Sequence, residues 1–346
     1  MKMRKKSNIK SKILFLMVAA LLSISACTSK RVTPDEAKVT PPAVTTPTST
    51  PVPTAEAANI PDAGITESET GDGEVDDIDA YDDEGYVGTV EMDSVDCPLL
   101  IYGGVSYCIM DDHAEVTYTI LSDDTLESYT VLDSVEYEGR TYPVTVIGES
   151  SFYNFTEVKE ITLPETITAI GPEAFEFCEL LESINIPETV TSIGDYAFSE
   201  CSVLKEITIP DSVTEFGESM FFNCYLLEKA VLPSGLTSLP NETFSGCEAL
   251  LEINIPESVT VIGDEAFWYC EALTEIKLPA GLTAIGDRCF YDCISLKELT
   301  LPESLTVIGE DLFDYCDALT VVNVPSSKLS RFEEDYEGYE FEVKGY

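Results

Sequence analysis

IPETVTSIGDYAFSECSVLKEIT, Ile186 to Thr208, is one period of a repeat that runs from about Val144 to Pro325. Prolines recur at 164, 187, 210, 233, 256, 279, 302 and 325. Phenylalanines recur at 152, 175, 198, 221, 244, 267, 290 and 313, and cysteines at 178, 201, 224, 247, 270, 293 and 316. Each series steps by the same 23 residues, with no insertion. A fixed step of that length marks a stacked array of similar units, a solenoid.

The chemistry of one period gives the shape of one rung. Ile184-Asn185-Ile186 alternates inward, outward, inward, which is a half-buried strand. Pro187 has no N–H and ends the ladder. Val190 and Ile193 turn back inside, and Gly194 is read as a tight-turn residue. Ala197, Phe198 and Cys201 are spaced for one helical turn, and Leu204 opens the next rung. A single coil cannot bury its own apolar residues, but eight stacked coils bury them against one another. At about 4.8 Å per rung, eight rungs span roughly 40 Å. The end rungs are degenerate, as caps are. Phe155 stands where a cysteine belongs, Ser150-Ser151 replace the acidic-plus-Ala pair, and Arg331 and Phe332 fall where Ile and Gly should be. Pro240 replaces the glycine of one middle rung.

The consensus Leu-x-x-Ile-x-Ile-Pro, then Val-x-x-Ile-Gly-x-x-Ala-Phe-x-x-Cys, resembles the BspA-type leucine-rich repeat family of bacterial surface proteins. The likeness holds nearly rung for rung through residues 144–325. It implies a leucine-rich-repeat solenoid of the α/β horseshoe type, β-rich, with one short parallel strand and one short helical turn per rung. It also implies display on cells and a binding role, since some members resemble adhesins for host matrix proteins or for other bacteria. The motif specifies a scaffold and not a ligand. It contains no catalytic residues to carry over.

Upstream of the repeats the composition changes three times. Residues 1–26 read as a secretory signal, with Lys2, Arg4, Lys5, Lys6, Lys10 and Lys12 before the apolar run Ile13–Ile24. Ile24-Ser25-Ala26-Cys27 resembles a bacterial lipobox, which implies diacylglycerol on the Cys27 thiol and cleavage just before it. The competing reading is ordinary cleavage after Ala26. Acyl chains would tether the protein to a membrane without spanning it. Residues 27–91 then form a stalk, first rich in Pro and Thr and extended, then acidic and solvated. Asp72, Glu74 and Asp76 have the alternate spacing of a calcium loop, but Asp77 sits where that loop needs glycine. Residues 92–143 read as a small N-terminal β cap over the first rung, and residues 326–346 as a C-terminal cap or tail.

Formal charge is −45. No Lys or Arg occurs between Lys38 and Arg140. This argues against nucleic acid, which needs a basic face. The seven repeat cysteines form one inward column and cannot all pair, so they read as buried free thiols. Such a column does not converge on a point as zinc ligands must. Cys97 and Cys108 flank a hairpin and can pair. No metal site is expected, and no cofactor beyond the covalent lipid on Cys27. The one histidine, His113, falls in a turn between strands, a poor place for a general base.

Two surfaces remain for recognition. The strand face offers Lys159, Asn185, Lys205, Lys229, Asn254, Lys277 and Lys297 among glutamates. The competing reading is that these lysines only relieve cross-strand repulsion. The second surface lies just before each cysteine and holds Tyr153, Phe177, Phe222, Trp268, Tyr269, Tyr291 and Tyr315. Exposed Tyr and Trp in a row are typical of interfaces, although such rings also pack between turns. The expected function is non-enzymatic recognition of an extracellular protein or glycan by an exported protein, lipid-anchored to the bacterial membrane and facing outward. The alternatives are a structural role in the producing cell's own envelope, and calcium-dependent association through the acidic stalk.

Overall fold

The computed structural model describes residues 86–92, 95–119 and 126–346. Each 23-residue period makes one rung, and the rungs stack along two parallel β columns rather than one. The first column is the expected strand. It comprises Glu160–Thr162, Ser183–Ile184, Glu206–Thr208, Lys229–Val231, Glu252–Ile253, Glu298–Thr300 and Val321–Val324. A single bridge, Asn254 to Lys277, carries it across one rung. Ile161, Ile207, Ala230 and Leu299 are buried between exposed neighbours, as alternation requires. Where a proline follows, its carbonyl accepts the N–H three residues on, as Pro187 does from Val190 at 3.0 Å.

The second column is Ala169–Ile170, Ser192–Ile193, Glu215–Phe216, Ser238–Leu239, Val261–Ile262, Ala284–Ile285 and Val307–Ile308. The glycine that follows all but one of these pairs holds the rungs together. Gly171, Gly194, Gly217, Gly263, Gly286 and Gly309 each donate N–H to a carbonyl of the preceding rung, at 2.7–2.9 Å. A Cβ on Gly194 would stand 2.4 Å from the Pro172 nitrogen, and one on Gly217 would stand 2.3 Å from the Gly194 carbonyl carbon. Gly194 therefore serves close approach of two backbones rather than a left-handed turn. Pro240 has no N–H to donate at this position, and here the column divides. One sheet ends at Glu215–Phe216 and another begins at Ser238–Leu239.

The segment expected to form a helical turn does something else. Phe175 donates N–H to Ala197 of the next rung at 2.9 Å, and Phe177 donates to Ser199 at 3.0 Å. Glu176 and Cys178 instead bond back three residues, to Glu173 and Phe175. Half of the N–H groups thus reach along the stack, and linked turns replace a helix. Two residues per rung adopt left-handed backbone, such as Glu173 and Phe177, Tyr196 and Glu200, or Glu265 and Tyr269. Each costs about 1 kcal/mol for a residue with a Cβ, which the inter-rung bonds must offset.

Behind this face runs a column of fully buried phenylalanines, Phe152 to Phe313. Successive rings stack at centroid distances of 5.3–6.3 Å, with interplanar angles of 6–15°. Beside it, each of the seven cysteines in the 23-residue series, Cys178 to Cys316, points its thiol at the carbonyl of the phenylalanine 26 residues earlier, at 3.0–3.3 Å, and the buried Cys289 is an eighth free thiol outside that series. The cysteine is thus a small apolar residue with one donor to place. Burial pushes the Cys178 and Cys316 thiols up to about 12, so the reactive thiolate is suppressed. Cys27 set aside, the folded chain should give no rapid reaction with a thiol-exchange reagent except at half-buried Cys316. Unfolding without reductant should release all eight free thiols of the described residues. Prompt reaction of two or more thiols in the folded chain would contradict this account.

Both ends of the phenylalanine column are closed by other aromatics. At the N-terminal end, strands β1 (Tyr86–Met92), β2 (Val95–Tyr102), β3 (Val105–Ile109) and β4 (Ala114–Thr119) form an antiparallel run. β5 (Ser128–Thr130), β6 (Ser134–Tyr137) and β7 (Arg140–Ile147) follow. β6 pairs antiparallel with β7, but β4 lies parallel to β7 and β5 parallel to Glu160–Thr162. β4 and β5 therefore extend the two columns by one more strand each. The Tyr129 ring of β5 lies 6.0 Å from Phe152. Cys97 and Cys108 are joined in a disulfide, Cα–Cα 5.8 Å, within a small second apolar cluster. At the far end, helix α1 (Leu329–Asp335) buries Phe332, and Glu342–Gly345 adds a parallel strand to Val321–Val324. Tyr336 and Phe341 both lie 5.6 Å from Phe313.

Candidate functional site

On the strand face, the lysines are largely matched by glutamates. Lys159 pairs with Glu127 at 2.7 Å, and Lys277 with Glu257 at 2.6 Å. Lys229 stands in register between Glu206 and Glu252. Asn185 has both ends of its amide engaged, accepting from the Leu163 N–H at 2.8 Å and donating to the Leu163 carbonyl at 2.9 Å. It seals a strand edge rather than facing a ligand. Lys205, Asn254 and Lys297 are exposed. The face is therefore an alternation of charges, with no convergence of unlike chemistry at one point.

The turn face differs. Its residues just before cysteine are of two kinds. Phe177, Tyr269 and Tyr315 are left-handed, with φ of 59°, 59° and 64°. That backbone directs their side chains away from the phenylalanine column. Tyr153, Phe222, Trp268 and Tyr291 stand one position earlier, half-buried except for Tyr153 at 39% exposure. The structure gathers four of the seven into one cluster. Trp268 meets Tyr269 edge-on at 4.3 Å and Tyr291 at 6.4 Å, and Tyr291 lies 5.0 Å from Tyr315. Tyr315 is 56% exposed and forms the open end. Tyr153 and Phe177 make a separate edge-to-face pair at 5.5 Å, and Phe222 stands apart from both groups.

Carboxylates border both groups. Burial raises the Tyr269 hydroxyl, helped by Asp292, with which it shares a hydrogen bond. Burial also raises Tyr291, followed by its hydrogen bond to Tyr315 and the charge of Asp314. Tyr339 donates its hydroxyl to Asp314. Beside the smaller pair, burial raises Glu176 to about 7, with Glu173 adding repulsion and Ser199 donating a compensating hydrogen bond. Asp292, Asp314 and Tyr339 are absent from the sequence-based candidates, as are the exposed rings of Tyr196 and Tyr225. The column positions of Asp292 and Asp314 were legible. Their partners were not, because Tyr269 and Tyr339 reach them from other rungs.

His113 bonds the neighbouring Asp112 carboxylate through Nδ1 at 2.9 Å. Among the described residues, no group of three or more His, Cys, Asp or Glu side chains is arranged to hold a metal ion. No helix among them is long and apolar enough to cross a membrane. Cys27 and the acidic calcium-loop candidate lie outside the described residues.

A family model described as the BspA type leucine rich repeat region matches residues 125–251 and 218–336. Among solved structures, a leucine-rich repeat protein from Bacteroides ovatus is 28% identical, with 71% of this chain and 76% of that chain covered and a TM-score of 0.52. A leucine rich cell surface protein from Faecalibacterium prausnitzii is 23% identical over 72% of this chain and 94% of that chain, with a TM-score of 0.44. The leucine rich repeat protein of T. pallidum is 24% identical over 70% and 97%, with a TM-score of 0.45. No curated protein matches the chain.

Proposed function

The chain belongs to the BspA-type leucine-rich repeat family, and from that premise we propose that its solenoid is a cell-surface recognition module, adhesin-like, that binds an extracellular protein or glycan without covalent chemistry. Lipid on Cys27 would hold it to the membrane that exports it, with the Pro/Thr-rich and acidic stalk as the tether. Surface-type leucine-rich repeat proteins of bacteria point to protein interaction, and the solenoid is a rigid display for it. The observation that carries the reading is the contiguous aromatic face of Trp268, Tyr269, Tyr291 and Tyr315. Large amphipathic rings supply much contact area at small conformational cost, and they dominate interface energetics. The strand face, where lysines and glutamates alternate, supports a scaffold role more than a ligand-reading one.

Cells carrying the whole chain should be retained on a surface coated with matrix proteins or mucin glycans. Trp268→Ala should reduce that retention about tenfold or more, as expected for an interface anchor. Lys205→Glu on the strand face should leave it within about twofold. Equal retention of wild type and Trp268→Ala, with both displayed at the same level, would remove the aromatic face from the adhesive role. Capture only of partners from the producing cell's own envelope would replace host recognition with an envelope role.

A further inference from the structure

The surroundings of the aromatic cluster identify what chemistry it takes. Glu271 is raised by burial and then by the charges of Glu248 and Asp292. Asp292 is raised by burial and by Asp317, with the Tyr269 hydroxyl as its one lowering neighbour. Glu271 and Asp317 are tied to the cluster by backbone geometry, their N–H groups donating to the Tyr269 and Tyr315 carbonyls at 2.9 Å, so the charged groups beside these rings are carboxylates. The cations of the same rungs are placed elsewhere. Arg288 is held by Glu265 at 3.1 Å and Asp311 at 3.6 Å, Lys277 by Glu257, and Lys297 stands on the strand face. An aromatic surface with uncompensated negative charge at its rim lacks only a cation.

We propose that Trp268, Tyr269, Tyr291 and Tyr315, rimmed by Glu271, Asp292 and Asp317, form a receptor for an arginine or lysine side chain on an exposed segment of a partner protein. This rests on the recognition role assigned above and narrows it to one class of ligand. The faces of Trp and Tyr rings carry negative quadrupole potential and attract a cation within about 6 Å of the centroid. A guanidinium also stacks on such rings while its N–H groups reach carboxylates. Charge complementarity selects this occupant over a neutral glycan. A sugar would stack on the same rings but leave the repulsion among Glu271, Asp292 and Asp317 in place, whereas a cation relieves it. The chain's formal charge of −45 adds attraction for a basic segment at longer range.

Trp268 is the one tryptophan of the chain, so its fluorescence reports this site alone. The full chain, held in detergent, is titrated with acetyl-Arg-Arg-amide at constant ionic strength. The same peptide built from citrulline is its neutral isostere, and methyl glucoside is the neutral sugar. The arginine peptide should give a saturable change, and the citrulline peptide should bind about tenfold more weakly or worse. Asp292→Asn should weaken the arginine peptide about threefold or more. Asparagine accepts the left-handed backbone found at position 292, where φ is 59°, so this variant keeps the fold. The double variant Tyr291→Ala, Tyr315→Ala leaves the reporter in place and should abolish saturation. Equal affinity for arginine and citrulline, or saturation surviving in the double variant, overturns the proposal. A response to the glucoside alone overturns the cationic ligand and leaves the recognition face standing with a glycan as its ligand. No response to any probe also overturns it, while the retention of Trp268→Ala cells independently decides the recognition role.

Discussion

Phe221→Ala is expected to destabilise the solenoid by about 4 kcal/mol. Phe221 is fully buried, and its ring stacks on Phe198 at 5.8 Å and on Phe244 at 5.4 Å. Removing it loses the transfer energy of the ring, leaves a cavity, and breaks two stacked pairs at once. The neighbouring rungs cannot collapse into the space, because inter-rung hydrogen bonds such as Phe221 N–H to Thr243, 3.0 Å, hold their spacing. In an array stabilised by nearest-neighbour interfaces, a loss in the middle also weakens the cooperation of the two halves. Chemical denaturation should show a lower midpoint, with a broadened or divided transition. A loss below about 1 kcal/mol would mean that the phenylalanine column is not the main source of cohesion.

Gly217→Ala should cost about 3 kcal/mol or more. The added Cβ would stand 2.3 Å from the Gly194 carbonyl carbon and 2.4 Å from the Asp195 nitrogen. Those are backbone atoms, so no side chain can swing aside to make room. The rungs must separate, which stretches the Gly217 N–H bond to Ile193, 2.9 Å. Gly235 provides the control, since a Cβ there meets nothing within 4 Å. Its φ lies outside the left-handed range, so Gly235→Ala should be neutral or stabilise by up to about 1 kcal/mol. The contrast in denaturation midpoints decides the point. Similar losses at the two glycines would show that flexibility, and not backbone approach, is what position 217 requires.

The candidate site was legible in kind but not in arrangement. The sequence places Trp268, Tyr269, Tyr291 and Tyr315 before their cysteines, and the 23-residue step places them on neighbouring rungs of one face. It does not show that these four meet while Tyr153 and Phe177 stand apart. Nor does it show that Asn185 is occupied by Leu163, because that bond spans 22 residues and depends on how one rung sits on the next.

The sequence by itself determined the period, the order of the rungs and the residues of the core. Every 23rd position repeats the same chemistry, and stacking can only bring like onto like. It marked Phe152 to Phe313 and Cys178 to Cys316 as inward columns, and the structure buries them, with Cys316 only partly covered. Tertiary structure decided where the backbone hydrogen bonds go. Ala197, Phe198 and Cys201 have the spacing of a helical turn, yet Phe198 donates its N–H to Met220 of the next rung at 3.0 Å. A helix would satisfy that donor locally. The neighbouring rung satisfies it along the stack, and left-handed Tyr196 and Glu200 bend the chain to allow it. That bending also turns Tyr269 and Tyr315 outward. The local pattern is the same for both outcomes, and only the presence of the next rung selects between them.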